Sequence, residues 1–200
     1  MALVNLGGKD SPSGAARLTL GEGKCAFIVP ITGANASEIA SAAREIENSD
    51  AGMVEWRVDH LNALESPIIQ GAMQVLKRET TRPILATFRT KMQGGQGNPS
   101  DTLRVAEVIL EAGADALDIE DTDPAADEIA KMTYAHGAVP VLSAHDFEET
   151  PGVPALLKKI NELQDRITTW HGEAIEAARQ SDVLRPSGGR ADLLQRRGTC

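Results

Sequence analysis

The sequence predicts an α/β fold of the (β/α)8 TIM-barrel type, incomplete, with about five clear βα units. Short apolar runs begin near residues 25, 53, 84, 116 and 139, and helical patterns separate them. Intervals of 23 to 32 residues between these starts are typical of βα units. Neither the turn TGANAS nor the loop KMQGGQGNPS matches a dinucleotide fingerprint or a P-loop, which favours a barrel over a nucleotide-binding doubly wound sheet.

Composition excludes several classes of protein. The 200 residues, 42% hydrophobic and 24% charged, are ordinary for one soluble globular domain. The net charge of −9 argues against nucleic acid and membrane surfaces as partners, because both require basic patches. No apolar stretch reaches the roughly 18 residues of a membrane span, and we expect no secretory signal. Cys25 and Cys200 have no metal-ligand spacing, so we expect no metal and a cytoplasmic protein.

The chain begins with a Gly- and Ser-rich lead-in, followed by the first βα unit. Residues 1–23 are expected to be loose, apart from a short strand pair near Arg17–Leu20. The first strand is predicted at Cys25–Thr32. Asn35 is predicted to cap the following helix, because Glu38 stands three residues later as in a capping box.

The second and third units carry clear start and stop signals. The second strand is predicted at Met53–Asp59, and Pro67 opens the helix behind it. The third strand is predicted at Ile84–Thr90. After the Gly-rich loop, Ser100 is predicted to start a helix that Gly113 ends.

The fourth and fifth strands complete the recognisable pattern. The fourth is predicted at Ala116–Glu120, followed by an Asp123-Pro124 helix start and a helix that Gly137 ends. The fifth lies within Val139–Pro151, where an apolar run ends abruptly in polar groups.

The last part of the chain has a different composition. A final helix is predicted from Pro151 to about Gln164, and residues 167–200 contain no strand-like apolar run. Gly172–Leu184 favours another helix. We therefore divide the chain into a lead-in at 1–23, barrel units at 24–166 and an atypical tail at 167–200.

Polar side chains collect at the carboxyl ends of the predicted strands. Because side chains alternate along a strand, the polar residues share one face and the apolar residues share the other. If the apolar set packs against the helices, the polar set converges inside the top of the barrel, where such folds have active sites. The polar set is Glu55, Arg57, Asp59, Thr87, Arg89, Asp118, Glu120, Ser143 and His145, and the apolar set includes Trp56, Val58, Phe88, Leu117 and Ile119.

Two interpretations fit this constellation. One interior Arg–Glu pair is easily structural, and a histidine at a strand end can merely cap the next helix. Two arginines, four carboxylates and a histidine on four strand ends instead indicate a site for a small, polar, anionic molecule. Arginine suits a substrate carboxylate, which it binds with two hydrogen bonds. We favour the functional interpretation.

Five motifs, in order and spacing, resemble those of a known family. IVPITG, VEWRVDH, ATFRTKMQGG, LDIE and SAHDFEETP resemble type I 3-dehydroquinate dehydratases of the shikimate pathway, over about residues 24–166. The resemblance implies a (β/α)8 barrel, a homodimer when the barrel is intact, and no metal or cofactor. It also implies lyase chemistry, in which a lysine forms a Schiff base with 3-dehydroquinate and a histidine moves protons as water leaves to give 3-dehydroshikimate.

The resemblance assigns roles residue by residue. His145 is similar to the family's general acid/base. Glu55 and Arg57 resemble its contacts to a substrate hydroxyl and carboxylate, and Arg89 resembles a further substrate contact. Pro30 lies where the first strand approaches the ligand. A histidine suits proton transfer at neutral pH because its ordinary pKa is near 6.5.

This chain departs from the family at two points. The resemblance also suggests Asp118, Glu120 and Gln93 as residues that support the substrate and His145. At position 93 the family usually has glutamate, and the amide of Gln93 cannot ionise as that carboxyl group can. No lysine follows Lys159, so the Schiff-base lysine has no assigned position. Lys91 is the one stand-in near the expected site.

Three readings remain open from the sequence. The first is a lyase of this family with impaired activity. The second is an inactive relative that binds a metabolite or partner through the same pocket. The third is an open-barrel fragment whose exposed sheet edges drive association.

Overall fold

Five parallel strands form the centre of the structure, a computed structural model. It describes residues 3–21, 23 and 25–183, with side chains as far as residue 175. The five strands are β3 (Ile28–Ile31), β4 (Met53–Arg57), β5 (Ile84–Thr87), β6 (Ala116–Glu120) and β7 (Val139–Ser143), and they are preceded by a separate pair, β1 (Val4–Leu6) and β2 (Leu18–Leu20). The helices are α1 (Ala36–Glu47), α2 (Ser66–Glu79), α3 (Thr102–Ala112), α4 (Ala126–Ala135) and α5 (Val153–Val183).

The strand order is that of a barrel wall. Strands β3 to β7 lie side by side in sequence order, and every pairing between them is parallel. A helix follows each strand, which gives five βα units and confirms the predicted barrel-type fold. Over the described residues the sheet stays open, with β3 and β7 at its edges. The carboxyl ends of all five strands therefore meet along one rim.

The first helix shows how local sequence signals set an element. The Asn35 side chain accepts hydrogen bonds from the backbone N–H groups of Ser37 and Glu38, and the Glu38 carboxylate accepts one from the Ala34 N–H. These bonds satisfy donors that the helix start would otherwise leave unpaired. Ile39 and Ile46 then recur on one face of α1, and both are buried. The predicted cap is confirmed.

The outer face of the sheet makes the main hydrophobic core. Trp56, Val58, Phe88, Leu117 and Ile119 all lie in it, together with the apolar faces of the helices. Trp56 and Val58 are fully buried. Burial of one large apolar side chain contributes about 1.5–3 kcal/mol, so this face orients the whole sheet. The polar residues that alternate with these are thereby turned to the inner face, as predicted.

The N-terminal segment packs against the inner face: the strand pair predicted near Arg17–Leu20 is confirmed, and the segment around it is more ordered than expected. Strands β1 and β2 form an antiparallel pair. Leu6 is buried against Met53, Leu85 and Ala116, which line the amino-terminal end of the sheet interior. A side chain from the same segment also holds the barrel floor, because Ser13 Oγ donates to Asp115 Oδ2 at 2.6 Å. The hairpin covers the end of the sheet opposite the polar rim.

Helix α5 is longer than the sequence predicted. It does not end near Gln164 but runs to Val183. The helix predicted over Gly172–Leu184 is therefore part of α5, although Leu184 itself lies outside the described residues. The proposed division of the chain at residue 166 falls inside this helix. The extension packs on α4: Trp170 is buried, and its Nε1 donates to Asp127 Oδ1 at 2.8 Å. No helix in the described part of the chain is long and apolar enough to cross a membrane.

Several predicted boundaries shift by a few residues. Strand β4 ends at Arg57 because residues 58–60 form a single 3-10 turn, and β5 ends at Thr87. Helix α3 begins at Thr102 after a short 3-10 turn over Pro99–Asp101. Helix α4 begins at Ala126, so its N-cap residue is Ala125 and not the predicted Asp123. The Asp123 Oδ1 atom accepts from the Ala125 N–H, just ahead of the helix. Strand β3 is shorter than predicted at both ends.

Two isoleucines test which helical faces support the fold. Ile39 on α1 is 0% exposed and Ile160 on α5 is 54% exposed. Ile39→Ala should lower the free energy of unfolding by about 2–5 kcal/mol, because it opens a cavity in the core. Ile160→Ala should change it by no more than about 0.5 kcal/mol. Urea denaturation followed by tryptophan fluorescence measures both; equal losses would contradict the packing described.

Candidate active site

The candidate site lies on the inner face of the sheet, at the carboxyl ends of β4 to β7. Strand alternation places Glu55 and Arg57 on the same side as Met53, which is buried in the barrel floor. Asp118 and Glu120 stand likewise above Ala116. The rim above this floor is therefore polar, while the floor itself is apolar.

Arg89 forms the centre of a buried charge network. Its Nη2 lies 2.6 Å from Asp118 Oδ2, and its Nη1 forms an ion pair and hydrogen bond with Glu120 Oε2. Arg89 Nη2 also donates to Ser143 Oγ at 2.7 Å. All three charged side chains are less than a tenth exposed. The network ties together the ends of β5, β6 and β7.

His145 is attached to this network through Glu120. The backbone N–H of His145 donates to Glu120 Oε1 at 3.2 Å, and its ring Nδ1 lies 2.8 Å from Glu120 Oε2. The imidazole stacks on the Phe147 ring, with centroids 5.8 Å apart and planes 9° apart. The side chain is 40% exposed. The ring is thus held on one edge and one face while part of it remains open to solvent.

Arg57 forms a second charged pair on the same inner side. Its Nε and Nη2 donate to the two oxygens of Asp59, both at 2.9 Å. This hydrogen-bonded carboxylate raises the pKa of Arg57 above its usual value, and burial opposes the shift. Asp59 is buried and also accepts from the Gln96 backbone N–H at 3.2 Å. The pair therefore fastens the loop after β5 to the end of β4.

Asp118 carries the largest resolved perturbation of the site. Burial raises its pKa from the ordinary 3.8 to about 6, and the Arg89 guanidinium counteracts only part of this. Its Oδ2 lies close to Arg89 but outside hydrogen-bonding geometry, and within the described structure neither that oxygen nor Thr87 Oγ1 has a hydrogen-bond partner. Both atoms are buried, and the Asp118 oxygen is held by its ion pair with Arg89.

Gln93 does not reach His145. Its side-chain Oε1 accepts from the Thr90 backbone N–H at 3.1 Å, and the Gln93 backbone N–H donates to the Thr90 carbonyl at 2.9 Å. The amide therefore caps the single 3-10 turn that opens the Gly-rich loop. A side chain at Gly94, where φ is +76°, would press against the Phe147 ring. The glycine allows this loop to pack beside the aromatic ring that stacks on His145.

Lys91, Lys158 and Lys159 are poorly placed for a nucleophilic role. Lys159 Nζ pairs with Asp121 Oδ2 at 2.8 Å, and this hydrogen bond raises the pKa of Lys159. Lys158 is largely exposed on α5, and Lys91 is exposed at the start of the Gly-rich loop. Within the ranges that the structure covers, no group of His, Cys, Asp and Glu has the arrangement of a metal site.

The structure brings four of the eight sequence-assigned site residues into one contact network. Those in direct contact are Arg89, Asp118, Glu120 and His145, joined by Ser143. Glu55 lies on the same inner face, and Pro30 is its register partner on β3. Arg89 was expected to contact substrate, but its guanidinium is engaged by protein groups; a direct substrate contact stays a prediction.

Phe147 was missed by sequence reasoning. It lies two residues beyond His145 in the SAHDFEETP motif, and that proximity was the available signal. An aromatic residue after a strand end has no distinctive pattern, so only the stacked geometry shows that it holds the imidazole.

The fold and this cluster define a barrel-type α/β protein with a charged site at its strand ends. Residues 27–167 match the family model of type I 3-dehydroquinase, and the chain belongs to that family. It is 33% identical over 155 residues to the 3-dehydroquinate dehydratase of Lactiplantibacillus plantarum, and 32% identical over 172 residues to that of Enterococcus faecalis. The alignments cover 74% and 82% of this chain, but 62% and 68% of those relatives.

Solved structures give the same grouping. The type I 3-dehydroquinate dehydratase of Clostridium difficile, with covalently modified comenic acid, superposes with a TM-score of 0.66 at 25% identity. The superposition covers 73% of this chain and 62% of that one. The Enterococcus faecalis enzyme gives a TM-score of 0.65 at 27% identity, covering 79% and 68%. This chain thus spans about two thirds of the length of its relatives.

Asp118 makes a testable contribution to the pH dependence of stability. Its pKa in the folded protein, about 6, exceeds the ordinary 3.8, so the folded state binds the proton more tightly. The stability that this provides is present at low pH and is lost as pH rises through that interval. In Asp118→Asn no proton is exchanged. The unfolding free energy of the wild type relative to D118N should therefore fall by about 3 kcal/mol across the interval.

Chemical denaturation at a series of pH values measures this difference. Asp50→Asn is the control, because Asp50 is an exposed carboxyl on the helix-to-strand turn before β4. A difference between wild type and D118N that stays constant or grows with pH would show that the Arg89 ion pair outweighs the burial of Asp118.

Proposed function

We propose that this chain carries the proton-transfer part and one side of the substrate pocket of a 3-dehydroquinate dehydratase. The observation that supports this most is the His145 imidazole, held at the carboxyl ends of the strands by Glu120, with Arg57 and Glu55 on the same inner face. The relatives that share this fold and these motifs bear the name of that enzyme. The ligand would be 3-dehydroquinate, a cyclic ketone that carries hydroxyls and a carboxylate.

His145 is the proposed acid/base of the reaction. In its neutral form, the ring nitrogen not held by Glu120 can take the proton next to the substrate ketone. The same nitrogen can then return that proton to the departing hydroxyl, so that water leaves and a conjugated ketone remains. One group thus serves both steps, and its partly open ring face lies where a ligand can reach it.

Arg57 and Glu55 are the proposed substrate contacts. Arg57 keeps a partly exposed guanidinium, with 21% of its side chain accessible, despite its pairing with Asp59. Its positive charge suits the substrate carboxylate, while the half-buried Glu55 can accept from a hydroxyl. Asp118 and Glu120 support these groups from β6, and Pro30 borders the pocket from β3.

A lysine nucleophile is missing from this arrangement in the part of the chain that the structure describes. A Schiff base requires a neutral amine, yet the Asp121 contact favours the protonated form of Lys159. Lys91 projects from an exposed loop position, and a displacement of about 1 Å from reactive geometry can reduce a rate on the order of a hundredfold. We therefore propose that the chain as written has little or no dehydratase activity.

This missing lysine also favours a second candidate function. A pocket that keeps its histidine and arginines without an imine-forming amine would bind the metabolite and leave it unchanged. We further propose a cytoplasmic protein that forms a homodimer when the barrel is complete, without nucleic-acid or membrane partners and without a cofactor.

Ligand binding is tested by calorimetric titration with 3-dehydroquinate. The wild type should bind, and Arg57→Ala should weaken binding at least about tenfold, because a hydrogen bond to a charged group contributes about 1.5–3 kcal/mol. Arg78→Ala is the matched control, since Arg78 is exposed on α2 and pairs only with surface Glu79. Arg89→Ala is less informative, because it would leave two buried carboxylates without their partner, whereas Arg57→Ala leaves one, that of Asp59.

Equal affinity of the wild type and R57A would contradict the proposed carboxylate contact. Absence of heat in the wild type would contradict the binding function as a whole.

Imine chemistry is tested by borohydride reduction in the presence of 3-dehydroquinate, followed by mass spectrometry of the intact chain. We expect no trapped adduct, because the lysines near the rim are either ion-paired or exposed. An adduct would overturn the proposed loss of activity. Peptide mapping, with Lys91→Met as the comparison, would then show whether Lys91 is the nucleophile.

A further inference from the structure

We propose that Glu120 is the residue that positions His145 and fixes its tautomer, with Arg89 as the anchor that holds Glu120 in place. The residue that orients the acid/base would then lie on β6, and not in the Gly-rich loop that carries Gln93. The catalytic meaning of this inference rests on the proposed function, but the geometry and its test do not require turnover.

Both carboxylate oxygens of Glu120 bind the same residue. Oε1 accepts from the backbone N–H of His145 at 3.2 Å, and Oε2 lies 2.8 Å from its ring Nδ1. The first contact fixes the chain just beyond β7, and the second fixes the rotation of the ring. Two contacts from one buried carboxylate leave the imidazole little freedom, and the Phe147 ring limits it further from one face.

The charge of Glu120 decides which ring nitrogen carries the proton. An ionised carboxylate can only accept hydrogen bonds, so Nδ1 must be the donor. In a neutral imidazole, Nε2 is then the unprotonated nitrogen with a free lone pair. That is the form a proton acceptor needs, and no group in the described part of the chain binds Nε2.

Arg89 holds Glu120 in position. Its Nη1 contacts the same Oε2 that faces His145, and its Nη2 lies beside Asp118 and Ser143. Glu120 is thus the charged group in contact with the imidazole, Arg89 contacts Glu120, and Asp118 contacts Arg89 in turn. The exposed Asp146 belongs to the segment of His145 itself, and its Oδ1 accepts from the backbone N–H groups of Glu148 and Glu149.

The residue at position 93 does not orient the His145 imidazole in this chain. Gln93 is neutral, and its amide oxygen accepts from the Thr90 N–H inside its own loop. A carboxylate partner for the imidazole is nevertheless present, on a rigid strand end and buried.

The test is the ring ¹⁵N spectrum of His145 in the intact chain, recorded above the ordinary titration range of histidine. The signal is assigned with His145→Gln. The wild type should show Nδ1 as the protonated nitrogen and Nε2 as the unprotonated one. Glu120→Gln should lose this preference and shift both resonances towards an average or towards the opposite tautomer. Glu149→Gln, which removes an exposed carboxylate from the same segment, should leave the spectrum as in the wild type.

Two results would overturn the inference. One is a wild-type spectrum with Nε2 protonated; the other is an E120Q spectrum identical to that of the wild type. Should E120Q fail to fold, Glu120→Asp keeps the charge but withdraws it by one methylene, and the same loss of preference is expected. Failure of ligand binding with the Nδ1–H form intact would refute the proposed function and leave the role of Glu120 standing.

Discussion

The buried guanidinium of Arg89 is the constraint on which the upper half of the sheet depends. A charge taken out of water is costly unless it is paired and hydrogen-bonded, and here two carboxylates and a hydroxyl from β6 and β7 provide the partners. Removal of one partner of such a network typically costs 3–5 kcal/mol, because an uncompensated charge remains buried. The strand ends are therefore held at fixed spacing by the same groups that position His145.

The two faces of the sheet divide stability from chemistry. The outer face carries Trp56, Leu117 and Ile119 into the helical layer, and that burial gives the fold its driving force. The inner face is apolar only at its floor, where the N-terminal hairpin covers it, and becomes charged at the rim. Because side chains alternate along each strand, one residue of register shift would exchange these faces and destroy both.

The candidate site combines a histidine with arginines, whereas Lys91, Lys158 and Lys159 are exposed or ion-paired in the described residues. The Lys159–Asp121 pair shows how α5 meets the rim: a lysine is present near the strand ends, but its partner keeps it protonated and outside the inner face. Over the described residues the sheet has open edges at β3 and β7.

The sequence by itself determined the five βα units, the strand faces and the identity of the rim residues. These follow from short-range rules: apolar runs mark strands, alternation sorts their faces, and motifs such as SAHDFEETP name His145. Only the tertiary structure decided which groups pair. Arg89 pairs with Glu120 and Asp118, and the Gln93 side chain binds within its own loop. The N-terminal segment packs on the barrel floor, and α5 continues past Gln164, where the buried Trp170 supports it. Each of these depends on contacts between residues far apart in the chain, which local pattern does not specify.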